Sequence, residues 1–427
     1  MDTLVRNEIL ISESKIREIF TPFSPVNQKE LLSGRNVEIS SILASINTPG
    51  QHALIYGARG IGKSSLANII SKIAADSFNY TVYIKKCCSN DSFTSLISEI
   101  LESHGYDSRC VESTNEHTEG GGANLSVPFV GAKIESHRKK SEKFSFKSQY
   151  SSPSWGANVL KDSRTLLVVD EVDVLVSNED KLKLAEFIKH LSDYESTFKV
   201  LIVGISDTGR DLVNNHKSIE RCLNEISLQP IGITELRNII KNGESKTTLR
   251  FDDNVIDDIS DISGGYPHFV HLIALKCAEE AVLEKRNEIS QDNLTSALKL
   301  AAQFSEGNLR RSYEDAIKKQ TETSQKVLLA AALCHPRGFL ISELLEMKNQ
   351  AVDPDIGDGA VKSCLSRWVK NNELSIITRI ERGHYRFNDP RLISYIKMVN
   401  GFSYDKDSII ADILKNEYSK RYVRSSR

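Results

Sequence analysis

Cysteine is scarce in this chain of 427 residues, and the seven present are Cys87, Cys88, Cys110, Cys222, Cys277, Cys334 and Cys364. None stands in a C-x-x-C pair, which argues against a zinc module and reads as the reduced thiols of a cytosolic protein. Long apolar runs are also missing, so no membrane span is expected. Met1–Leu10 carries Asp2 and Glu8, and no secretory leader is expected there. Charge of one sign is absent too: 55 Lys and Arg face 57 Asp and Glu, a net charge of −2. Without a global basic field, any nucleic-acid contact must come from local patches. What is present is ordinary for a globular chain, 40% hydrophobic and 26% charged residues. The length suits two or three domains, each with its own core.

The most informative stretch is Gly57-Ala58-Arg59-Gly60-Ile61-Gly62-Lys63-Ser64. A short apolar run, Ala53–Tyr56, leads into it, and a helical pattern with Leu66, Ile69, Ile70 and Ile73 on one face leads out. Strand, glycine loop and helix are the context that phosphate binding requires. The glycines let backbone N–H groups curl around an anion, and the helix N-terminus adds partial positive charge. Lys63 would reach the β- and γ-phosphates of ATP, and Ser64 would hold Mg²⁺. The pattern arises by chance at about 10⁻⁴ per position on average composition.

Along the chain, residues 1–30 are expected to be a tether, with Pro22 and Pro25 in it. Residues 31–229 read as an α/β core, opening with Gly34-Arg35-Asn36-Val37-Glu38. That opening is either a simple turn before a helix or part of an adenine pocket that uses Arg35. A strand at Tyr80–Lys85 and a helix at Ser92–Ser103 follow. An insertion, 108–155, contains six Lys or Arg against two Glu within 131–150, as either a solvated loop or a DNA- or partner-contacting element. Buried parallel strands resume at Thr165–Asp170 and Val200–Ile205. Strands alternating with helices indicate a parallel sheet covered on both faces. Helical runs over 230–305 suggest a lid. Residues 321–400 follow the order helix, helix, helix, hairpin, and 401–427 form a basic C-terminal tail.

Asp170 and Glu171 close an apolar strand as two carboxylates. Together with the phosphate loop they form a hydrolytic pair. Asp170 would bind Mg²⁺, and Glu171 would orient the attacking water. Asp173 reads as a helix-start residue rather than a ligand. Ser206 and Asp207 end the next strand, either as a plain turn or with Ser206 near the γ-phosphate. Arg221 is either a surface ion-pairing residue or an arginine finger inserted into a neighbouring copy's site.

These residues carry a resemblance. Gly34-Arg35-x-x-Glu38, GARGIGKSS, LLVVDEVD, LIVGISD and SIERCLNEISLQPI stand in the order of the AAA+ ATPases. The chain resembles the branch of origin-recognition initiators and their bacterial and archaeal relatives, over roughly residues 20–400. The resemblance implies a parallel-sheet P-loop NTPase core (α/β), a helical lid and a C-terminal winged helix. It implies nucleotide contacts from residues 57–65, Ser65 included, and places Arg221 at the finger position. It also puts Asp207 where initiators often carry a sensor Asn, a departure that would repel a γ-phosphate. The lid sequence Ser263-Gly264-Gly265-Tyr266-Pro267-His268 departs as well. It is similar to signal-transduction ATPases with numerous domains, in which nucleotide gates a switch. Pro267 and His268 would there contact the phosphates, or simply pack the lid.

Two readings follow. In the first, ATP controls DNA binding or assembly, copies associate through Arg221, and DNA meets Lys362, Ser363, Ser366, Arg367 and Lys370, with Arg382 in the wing. Residues 321–427 hold 17 Lys and Arg against 13 Asp and Glu, a weak excess for such a role. In the second, the chain is a regulatory switch whose winged helix docks protein.

Overall fold

The computed structural model describes residues 14–26, 32–106, 151–205, 219–318, 321–370 and 375–401. Within them the chain divides into two compact units, one of residues 25–229 and one joining 14–24 to 230–401.

The first unit contains α1 (Asn36–Asn47), β1 (His52–Gly57), α2 (Lys63–Phe78), β2 (Thr81–Lys86), α3 (Phe93–Ser103), α4 (Pro153–Leu160), β3 (Thr165–Asp170), α5 (Asn178–Asp193), β4 (Lys199–Gly204) and β5 (Leu223–Leu228). The strands form one parallel sheet in the order β2-β3-β4-β1-β5. Every residue of β3 and β4 is buried, whereas the edge strand β2 is partly exposed. That is why the central strands read as unbroken apolar runs: helices cover both of their faces. On one side Phe93, Ile97, Phe187 and Phe198 pack with Leu167, Val169, Val200 and Ile202. Phe187 meets Phe93 and Phe198 edge to face, with centroids 5.6 and 5.7 Å apart. Burying each such ring contributes roughly 1.5–3 kcal/mol. Caps fix where the helices on this side begin. Ser92 accepts from the Ser95 amide, Ser177 accepts from the Asp180 amide, and the Asp180 carboxylate receives the Phe93 amide at 2.8 Å. On the other side α2 buries Leu66, Ile69, Ile70 and Ala74.

The second unit holds α6 (Ile233–Ser245), β6 (Arg250–Phe251), α7 (Asp253–Ser263), α8 (Pro267–Leu283), β7 (Glu288–Ile289), α9 (Gln291–Phe304) and α10 (Gly307–Ile317). After these come α11 (Thr321–Leu333), β8 (Phe339–Leu340), α12 (Ile341–Met347), α13 (Asp358–Lys370), β9 (Ile377–Glu381), β10 (His384–Phe387) and α14 (Arg391–Asn400). The pair β6–β7 escapes sequence reading because each strand has only two residues. The strands β8, β10 and β9 form an antiparallel sheet in that order. The described part of the N-terminal segment corrects the expectation of a tether onto the α/β core. Ile16, Ile19 and Phe20 are buried, and Phe20 lies edge to face against Phe251 and His271. Three apolar residues at helical spacing, the last a phenylalanine, gain more by burial than by remaining in water. No helix among the described residues is long and apolar enough to cross a membrane.

Candidate functional site

The glycine loop stands at the carboxyl end of β1, where three glycines adopt positive φ: Gly57 at 149°, Gly60 at 74° and Gly62 at 100°. A Cβ on Gly57 would come within 2.7 Å of the Leu228 carbonyl oxygen, so the bare residue lets β5 lie close. A Cβ on Gly62 would meet nothing within 4 Å, which leaves space at the mouth of α2. Gly62 caps α2 and supplies no side chain to its first amides, which therefore point toward that space. Lys63 is buried and donates through Nζ to the carbonyls of Gly57 and Ala58 at 2.9 and 3.0 Å, closing the loop on itself. Ile61 is buried and Arg59 exposed. Ser64 is half-buried in the first turn, whereas the Ser65 hydroxyl accepts from the Val26 amide at 3.0 Å.

Arg35 approaches the same loop from behind. It is 6% exposed. One guanidinium nitrogen donates to Glu38 at 2.8 Å, and the other donates to the carbonyls of Ile61 and Gln229 at 3.2 and 2.8 Å. It thus braces the loop against the end of β5.

The carboxylates come to the same edge of the sheet. In a parallel sheet all strands end on one side, and β4 lies between β1 and β3. The ladders pair Ile55 with Val203 and Val169 with Ile202, so Asp170 stands level with Ile55, two residues before the loop's first glycine, with β4 between the two strands. Asp170 is 5% exposed, and its Oδ1 accepts the Glu171 amide at 2.9 Å. Glu171 adopts a left-handed backbone (φ 58°) and is exposed. The Cys87 amide donates to the Asp170 carbonyl at 2.9 Å. Burial pushes the Cys87 thiol up to about 12, with the Asp91 charge adding to it, so a neutral thiol lies beside the acid. Open space beneath uncapped amides, a lysine in the loop and a buried acid on the same edge fit a magnesium-bound nucleoside triphosphate.

Residues 20–333 match the family model described as Novel STAND NTPase 1. The chain belongs to this family. Among solved structures it resembles the ORC2 protein of Aeropyrum pernix, described in ADPNP–ADP complexes, at 16% identity and TM-score 0.51, covering 94% of this chain and 98% of that one. The ORC1 protein of the same organism, solved in complex with DNA, aligns at 15% identity and TM-score 0.46, covering 93% and 98%. No curated protein matches the chain. The protein is thus a nucleotide-binding NTPase of the STAND type, and its fold is like that of the ORC2 protein.

The remaining residues of this STAND NTPase fall in less uniform places. Arg221 is exposed on the turn that opens β5. The β1–β5 ladder runs from His52–Leu223 to Gly57–Leu228, so Arg221 stands at the opposite edge of the sheet from the phosphate loop. Six strand residues separate the two edges by roughly 17 Å. Ser206, Asp207, most of the insertion and the C-terminal tail lie outside the described residues. In the helical unit, Gly264 and Gly265 adopt φ of 58° and 90°, and Pro267 is the first residue of α8. The His268 ring bonds the Pro22 carbonyl at 2.9 Å through Nδ1.

On α13, Lys362, Ser363 and Ser366 are exposed, as expected, while Val361, Cys364, Leu365 and Trp368 are buried. Arg367 is a correction. Its guanidinium turns inward and donates to the Ser324 hydroxyl at 2.8 Å and toward the Ala316 carbonyl at 3.4 Å. A long side chain beside the buried seam satisfies neighbouring polar groups instead of facing solvent. Lys370 ends the helix, and its side chain lies outside the described residues. Arg382 is exposed at the hairpin turn, and the hairpin also exposes Arg379 and Arg386, which sequence reasoning missed. The signal was there, in the recurrence of arginine through Arg379-Ile380-Glu381-Arg382-Gly383-His384-Tyr385-Arg386.

Proposed function

We propose that this chain binds Mg²⁺-ATP at the β1–α2 loop, hydrolyses it, and uses the nucleotide state to gate its C-terminal helical unit. The observation that carries the reading is the arrival of Lys63 and the Asp170–Glu171 pair at one edge of one sheet. In this assignment the loop amides from Gly57 to Ser64 and the Lys63 ammonium hold the phosphates, with Ser64 and Asp170 as magnesium partners. The ion would neutralise charge on the β- and γ-phosphates. Glu171 would orient the attacking water and accept its proton, with Ser206 assisting. Arg221, at the far edge of the sheet, suits the site of a neighbouring copy better than its own. In such a head-to-tail assembly a finger contributes roughly 10³–10⁵ in rate. Arg35 would act by bracing the loop. His268, held on Pro22, serves lid packing in this assignment.

The nucleotide-gated switch is favoured by the family match across both units. The alternative, DNA engagement by residues 321–401 as a winged helix, is supported by exposed Lys362, Ser366, Arg379, Arg382 and Arg386. The inward turn of Arg367 weighs against it. Two experiments address the two parts. Glu171→Gln should retain ATP and lose phosphate release, and normal turnover would remove the hydrolytic assignment. A DNA titration across a salt series, with and without ATP, should show little salt dependence for a protein-docking switch. A steep fall of log K with log salt would favour the DNA reading.

A further inference from the structure

The β3–β4 ladder stops short of the catalytic edge. Its last pair is Val169 with Ile202, so Asp170 and Glu171 extend beyond the backbone bonds that tie their strand to β4. The β4–β1 ladder, in contrast, continues to Gly204 and Tyr56. Beyond the end of the β3–β4 ladder one side chain restores the connection: Asp173 Oδ2 accepts the Ile205 amide at 2.6 Å. A carboxylate accepting a backbone amide is a charge-assisted bond, stronger than a neutral pair. The turn that presents Asp173 is tightly specified. Val174 N–H donates to the Glu171 carbonyl at 3.0 Å, and Val172 and Leu175, each 1% exposed, anchor its base. Glu171 itself holds a left-handed backbone that a non-glycine residue keeps only when its surroundings impose it.

We propose that Asp173 is a positioning residue for hydrolysis, fastening the Glu171 turn to β4 and, through β4, to the strand that carries the phosphate loop. The inference rests on the hydrolytic reading of Glu171. The side chain acts on that carboxylate through the backbone, not on phosphate or metal. Removing the tie frees the turn and misplaces the Glu171 carboxylate, while the loop amides and Lys63 are untouched. The loss therefore belongs to turnover and not to nucleotide affinity.

The test uses the full chain. Asp173→Ala should lower the rate of phosphate release at saturating ATP about 10- to 100-fold, with affinity for a fluorescent ATP analogue within about twofold of the parent. Asp173→Asn keeps an oxygen acceptor at the same place and should recover most of the rate. In a Glu171→Gln background, Asp173→Ala should cost nothing further, because the group it positions is already gone. Parental turnover in Asp173→Ala, or equal losses in the Asn and Ala variants, would overturn the proposal. Should Asp173→Ala not fold, Asp173→Glu carries the same test: it keeps the charge, shifts the acceptor by one methylene and should also slow turnover. If Glu171→Gln hydrolyses normally, the hydrolytic reading itself fails. If that variant is inactive while Asp173→Ala is not, only the positioning role is lost.

Discussion

In the sheet-bearing unit the groups proposed to serve the unit's own nucleotide follow closely on the carboxyl ends of strands, whereas in the helical unit the exposed basic groups are scattered over α13 and the β9–β10 hairpin. The difference is one of backbone against side chain. The glycine loop works through amides whose direction follows from φ and ψ, so a short contiguous motif specifies it. A basic face works through long side chains, whose direction depends on what packs beside the helix. Arg367 and Lys362 lie five positions apart on one helix, yet one satisfies Ser324 and the other meets solvent.

The contrast can be broken most sharply at Lys63. Lys63→Ala should weaken ATP binding by more than about 100-fold, by loss of charge against the phosphates. Unchanged affinity for a fluorescent analogue would mean that the loop does not hold nucleotide.

Acid should strike both units together, because each buries an imidazole that accepts a backbone amide. Val200 N–H donates to His52 at 3.1 Å, and Thr21 N–H donates to His271 at 3.2 Å. Burial lowers His52 to about 3, helped by the Lys199 charge, and lowers His271 to about 4, helped by His268. The unfolded chain takes up these protons near pH 6.5, while the folded chain resists until the lower values. Stability is therefore full above about pH 6.5 and falls as pH drops through 6 toward 4, by about 2–3 kcal/mol from each group. Denaturant unfolding at pH 7 and pH 4.5 reads this in each unit, through Trp155 in one and Trp368 in the other. A midpoint unmoved in either signal would separate the units.

At Gly57 the expected cost is about 1–3 kcal/mol, since Gly57→Ala forces a Cβ against the Leu228 carbonyl at positive φ. Thermal unfolding with and without ATP should show both a lower midpoint and a smaller nucleotide-induced shift. The smallest effect is reserved for the basic face. Arg367→Ala should lower stability by about 1 kcal/mol through its lost bonds to α11 and the end of α10, and leave any DNA salt slope unchanged. Lys362→Ala or Arg382→Ala should leave stability unchanged. If DNA is bound at all, each should reduce the slope by about 1. A slope that follows Arg367 instead would restore it to the contact face.

Much of the first unit was legible in advance. The strands read at 165–170 and 200–205 stand at 165–170 and 199–204, and they, the loop and the acid pair follow from contiguous apolar runs with a glycine or carboxylate at their ends. The N-terminal segment was misread because two prolines suggested an extended tether, while the apolar spacing of Ile16, Ile19 and Phe20 marked a buried face. The exposed Arg379 and Arg386 went unnoticed because exposure on a short hairpin depends on what packs around it: Arg379 pairs with half-buried Tyr385 and Arg386 with exposed Thr378, so the two stand on opposite faces.

By itself the sequence determined the glycine loop, since positive φ at Gly60 and Gly62 and the amides that follow them are local properties of the chain. It also determined which strands are central, because burial on both faces admits no polar alternation. Only the tertiary structure decided that β4 lies between the loop strand and the acid strand, that Arg221 faces the far edge, and that Asp173 reaches the end of β4. Those relations join residues tens to more than a hundred positions apart, and a chain's local preferences say nothing about which distant partners its folding will bring within hydrogen-bond reach.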